Sequence, residues 1–119
     1  MTQSAFSFGP RPKDAILTVA LGQAWKYRED FVTWLTANFH VWTRFEEEAN
    51  KLWDRGRRHY SARTIGEVLR HESALEARLD GEWKLNNNRW PDLARLYITL
   101  YPERDGFFEL RETAQRRAA

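Results

Sequence analysis

Cysteine is absent from this chain of 119 residues. That absence excludes a disulfide scaffold, thiolate zinc sites, iron–sulfur clusters and cysteine nucleophiles together. Long apolar runs are missing too. The longest mostly apolar stretch, Ala15 to Leu21, is interrupted by Thr18 and falls far short of a membrane span. The chain does not open on a basic segment followed by an apolar core and a cleavage site, so no secretion signal is expected. It also lacks a Gly-rich phosphate loop, a Gly-x-Ser-x-Gly elbow and any internal repeat. None of His40, His59 and His71 has a second histidine three or four residues away, so no zinc pattern forms. The carboxylates at Glu46, Glu47 and Glu48 and at Asp80 and Glu82 are neighbours in sequence only, and acid–base work needs one of a pair buried. These absences point to a cytoplasmic, non-enzymatic protein with no cofactor, no metal and no membrane contact.

What is present fits a single folded unit. Hydrophobic residues make up 42% and charged residues 30%, enough apolar content to build a core. The expected organisation is a flexible arm at 1–13, one globular domain at 14–112 and a frayed tail at 113–119. Six tryptophans are many for so short a chain. They require an aromatic core, an aromatic contact surface, or both. The net charge is only +2, but it is unevenly placed. Residues 1–55 hold 7 basic and 7 acidic side chains, while residues 56–119 hold 12 and 10. Four arginines and no acid lie in the run Arg55-Gly56-Arg57-Arg58-His59-Tyr60-Ser61-Ala62-Arg63.

Periodicity then places the elements. Asp14 reads as a cap for a helix with Ile16, Val19 and Ala20 on one face, a strand at Ala15–Leu21 being the alternative. Phe31, Trp34 and Leu35 stripe a short helix capped by Asp30. Trp42, Phe45, Ala49, Leu52 and Trp53 share one face of a helix over about 39–55, with Asn38 as cap and Gly56 as stop. Ala62 onward predicts another helix, with Ile65, Val68, Leu69 and Leu75 inward. Pro91 suits the first turn of a last helix striped by Leu93, Leu96, Tyr97, Leu100 and Tyr101. Alternation suggests short strands at 59–61, 82–85 and 106–111, and Phe6 and Phe8 allow a docked strand in the arm. The expected class is α+β and mainly helical. Three core helices, a small antiparallel sheet in a winged-helix-like order, and a helical N-terminal extension make it up.

From about residue 38 to 112 the chain resembles a family of small, largely uncharacterised bacterial and prophage proteins. The residues carrying the resemblance are the run from Arg55 to Ile65, then Trp83-Lys84-Leu85-Asn86-Asn87-Asn88, Ala94-Arg95-Leu96, Tyr101-Pro102-Glu103 and Gly106-Phe107-Phe108-Glu109-Leu110-Arg111. The resemblance implies a phage or mobile-element setting and transfers no activity.

Two functional readings follow. In the first, the chain binds nucleic acid. Arg55, Arg57, Arg58, His59 and Arg63 meet phosphates, helped by the free N–H groups where a helix begins at Ala62 and by the Ser61 and Thr64 hydroxyls. Asn87, Asn88, Arg89 and Arg95 are then candidates for groove contacts. A solvated loop whose arginines pair with Glu46, Glu47, Glu48 or Glu67 is the plain alternative, and the Asn run also makes an ordinary turn. Against groove reading, the last helix turns Asp92, Arg95, Ile98 and Thr99 outward and is poorly basic. In the second reading, surplus Trp25, Trp34 and Trp42 form an aromatic patch rimmed by arginine that binds and modulates a host protein, or pairs two copies of the chain.

Overall fold

The structure is a computed structural model and describes residues 12–75 and 89–110, with side chains through 72 in the first span. Among the described residues five α-helices and two 3-10 turns follow one another: α1 (Lys13–Gly22), η1 (Ala24–Lys26), α2 (Phe31–Ala37), α3 (Phe39–Asp54), α4 (Ala62–Leu75), α5 (Arg89–Leu100) and η2 (Pro102–Arg104). The helical alternative for Ala15–Leu21 is therefore the one observed. Helix α1 begins after Pro12, and Asp14 sits within its first turn rather than at its cap. Asn38 makes no side-chain cap for α3 and instead donates through Nδ2 to the Trp34 carbonyl, closing the end of α2 at 3.0 Å. Gly56 stops α3 as expected. Its φ of +94° is a conformation that side chains disfavour, and its N–H closes on the Trp53 carbonyl at 2.9 Å.

One apolar core joins the helices. Ile16 and Ala20 of α1 meet Phe31 and Leu35 of α2, and Val41, Trp42, Phe45 and Ala49 carry the core along α3. Ile65 and Leu69 come from α4. Helix α5 is buried on almost every side: Trp90, Asp92, Leu93, Ala94, Arg95, Leu96, Tyr97 and Leu100 all lie inside. An amphipathic stripe predicts one buried face. Here α4, α3 and η2 pack around the helix, so its polar side chains are buried as well. Asp92 and Arg95, read from sequence as outward, form a buried ion pair at 3.0 Å.

The expected antiparallel sheet is overturned. Among the described residues the β contact is a single isolated parallel bridge, Tyr60 with Phe108. The expected strand at 82–85 lies outside the described residues, as do residues 1–11 of the arm, with Phe6 and Phe8, and the tail at 113–119. Two physical reasons explain why 106–110, the described part of the expected strand at 106–111, makes no strand. Gly106, at φ +96°, turns the chain sharply. Phe107 and Phe108 are then both buried, which a half-buried strand with alternating faces does not allow. The Phe108 ring meets Phe45 at 5.5 Å and Tyr97 at 5.4 Å, so the segment packs as an aromatic plug against α3 and α5. The winged-helix-like arrangement gives way to an all-α one in the described residues.

A polar network locks this plug in place. The Tyr97 hydroxyl donates to Asn50 Oδ1 at 2.6 Å, and Arg104 donates to both Asn50 and Tyr97. The Tyr101 hydroxyl donates to Glu46 at 2.6 Å. Burial pushes the Tyr97 phenol up to about 12, so it stays a donor throughout the ordinary pH range.

Candidate nucleic-acid interface

The turn between α3 and α4 displays the arginine run. Arg55, Arg57, Arg58 and Arg63 are all exposed. The Arg58 guanidinium lies 3.8 Å above the Trp53 ring and donates to the carbonyls of Trp53 and Arg57, each at 3.0 Å. Arg57 stands 5.7 Å from the Tyr60 ring. Stacking on an indole or phenol braces a guanidinium and leaves its edge donors able to meet an oxyanion. Arg63 approaches Glu67 one helical turn on, at 3.8 Å, a weak and exposed contact.

Three of the acids that a solvated loop would use, Glu46, Glu47 and Glu48, are engaged elsewhere. Arg44 holds Glu47 at 2.8 Å, Glu48 at 2.9 Å and Glu72 at 2.7 Å. Lys51 also meets Glu48, and Glu46 receives the Tyr101 hydroxyl. Burial alone would raise the Glu48 carboxyl, but Lys51 and Arg44 pull it below its ordinary value. No carboxylate among the described residues pairs with Arg55, Arg57 or Arg58.

His59 and Ser61 fix the start of α4. The His59 Nδ1 lies 3.0 Å from the Gly106 carbonyl. A carbonyl only accepts, so Nδ1 carries the hydrogen and leaves Nε2 for another partner. The Tyr60 N–H donates to the Phe107 carbonyl at 2.9 Å. Ser61 Oγ accepts from the Thr64 N–H at 3.1 Å, an ordinary N-cap, so this hydroxyl is a structural group first.

A cleft of about 640 Å³ opens beside this junction. His59, Ser61 and Arg63 form one wall, Trp90, Pro91, Ala94 and Arg95 the floor, and Phe107, Glu109 and Leu110 the far side. Three separate stretches of sequence converge there. Sequence reasoning selected His59, Arg63 and Arg95 but missed the apolar floor, because nothing local in a sequence brings 90–94 and 107–110 beside 59–63. Arg55 lies away from it, in a smaller hollow with Glu48, Lys51 and Tyr60.

The other selected residues have definite places. Arg89 is buried, grips Asp30 by two bonds of 3.0 Å, and covers the half-buried Trp34 at 4.9 Å. Arg95 is buried with Asp92. Both guanidinium groups therefore hold the fold together. Asn87 and Asn88 lie outside the described residues. Of the three tryptophans proposed for a protein surface, Trp42 is fully buried, and Trp25 is 66% exposed. Leu21, one turn before Trp25, is equally exposed.

Among the described residues no group of three His, Asp or Glu side chains is placed to hold a metal ion, and no helix is long and apolar enough to cross a membrane. Comparison with known proteins gives no matching family model, no similar curated protein and no similar solved structure.

Proposed function

We propose that this protein is a small, non-enzymatic nucleic-acid-binding module that grips the phosphate backbone through the junction of α3 and α4. The supporting observation is the state of Arg55, Arg57 and Arg58. They are exposed, they lack carboxylate partners among the described residues, and Arg57 and Arg58 are braced on aromatic rings. Braced guanidinium groups lose less freedom on meeting an oxyanion than loose ones do. The phage or mobile-element setting remains part of the proposal on the resemblance of residues 38–112 alone.

The test is fluorescence anisotropy with labelled mixed-sequence duplex and single-stranded DNA across a salt series. Micromolar binding that weakens steeply with salt is expected. The double variant Arg57→Glu/Arg58→Glu should lose at least tenfold in affinity, and its salt slope should fall by about two. Absence of binding to either form of DNA at low salt overturns the proposal.

A second reading, contact with a host protein, is favoured by the exposed side chains Leu21 and Trp25, four residues apart in sequence. It predicts an association that tolerates salt and is lost in Leu21→Ser/Trp25→Ser, with DNA binding unchanged.

A further inference from the structure

The arginine ridge and the cleft are one continuous feature, because Arg63 and His59 belong to both. A regular duplex buries its bases in the stack and offers phosphates outward, so it would use the ridge and leave the cleft empty. A single strand offers phosphates and unstacked bases side by side. We propose that the cleft is a base pocket and that the preferred ligand is single-stranded nucleic acid, an inference that rests on the phosphate-binding reading above.

Three observations carry it. The first is chemical: the cleft lining is rich in apolar residues, with Pro91 and the exposed Leu110 offering carbon surface over the buried Trp90, Ala94 and Phe107, a setting suited to the face of a base. The second is spatial: about 640 Å³ is room for one or two nucleotides and lies within the usual range for small-ligand sites. The third is charge: Arg63 and His59 line the cleft and can meet the phosphate attached to an inserted base, with Glu109 the one carboxylate among the lining residues.

The experiment compares three ligands with the full chain at equal salt. They are oligothymidylate of about twelve nucleotides, an abasic strand of the same length, and a duplex of that length. The abasic strand keeps the charge and flexibility and lacks the bases. Oligothymidylate should bind roughly tenfold tighter than the abasic strand and tighter than the duplex. Leu110→Ala, at a partly exposed position, should reduce that ratio severalfold and leave abasic binding unchanged. A strand bearing 5-iodouracil should cross-link on irradiation within residues 60–63, 90–94 or 107–110. Equal binding of the thymidylate and abasic strands, or cross-links confined to other residues, overturns the base pocket and leaves the phosphate ridge standing. Failure of all three ligands to bind at low salt overturns the ridge as well.

Discussion

At the residue scale, Gly66 shows how closely α4 and α5 meet. A Cβ added there would overlap the six-membered ring of the Trp90 indole. Elsewhere in a helix Gly→Ala stabilises by up to about 1 kcal/mol. Here overpacking dominates, and Gly66→Ala should destabilise by about 1–3 kcal/mol in urea denaturation. Asp30 and Asp92 make a second comparison. The bonds from Arg89 hold the Asp30 carboxyl below its ordinary value of 3.8. Its folded pKa is depressed, so its stabilisation is present above the ordinary carboxylate range and is lost as pH falls through the folded value. Asp30 is exposed, which limits the effect to about 1 kcal/mol. Asp30→Asn should therefore lower stability by about that amount at neutral pH and by progressively less as pH falls through the folded value. Asp92 runs the other way. Burial raises its pKa, and the Arg28 N–H and Arg95 offset this only in part. Its contribution declines as pH rises from the ordinary range to the raised value. Urea titrations at several pH values separate the two groups.

At the element scale, the segment 59–61 is held against 106–108 by the His59 and Tyr60 bonds, and this attachment shapes the cleft. Gly106→Ala forces a side chain into a backbone conformation that costs about 1–2 kcal/mol. Exchange of the Tyr60 amide hydrogen should then quicken before that of the α3 core. The same segments show what the sequence made legible. Helix α3 was readable almost to the residue, because Trp42, Phe45, Ala49 and Leu52 repeat at helical spacing and Gly56 can stop the helix. Helix α4 was readable from its start at Ala62. Val68 was not readable as exposed, since its spacing is that of a core residue and only tertiary packing leaves it 43% exposed. The sheet was misread because a short aromatic run has the same pattern whether it pairs with a strand or plugs a gap between helices. Helix α5 was recognised as a helix, but its all-round burial was hidden by Asp92 and Arg95. Opposite charges three residues apart look solvated in sequence and here satisfy each other inside.

At the scale of the whole molecule, the groups that maintain the fold are separate from those offered to solvent. The buried arginines Arg89 and Arg95 face Asp30 and Asp92, while Arg55, Arg57 and Arg58 stand exposed in the turn after α3. Arg57→Glu/Arg58→Glu should therefore cost about 1–2 kcal/mol of stability, the sum of two exposed cation–π contacts. Thermal melts of the variant should stay cooperative, with a modest fall in melting temperature, while DNA affinity drops at least tenfold. The candidate site was half legible on these terms. The arginine run announces itself in one line of sequence, and the floor of the cleft needs the fold.

The stack of Arg58 on Trp53 also has an optical consequence. Indole emission depends on nearby charge, and here a cation lies within 3.8 Å of the ring. A ligand that draws Arg58 toward its own oxygens should change the colour or yield of Trp53 fluorescence, and Trp53→Phe should abolish that change. The protein would then report occupancy of its arginine ridge without any attached dye.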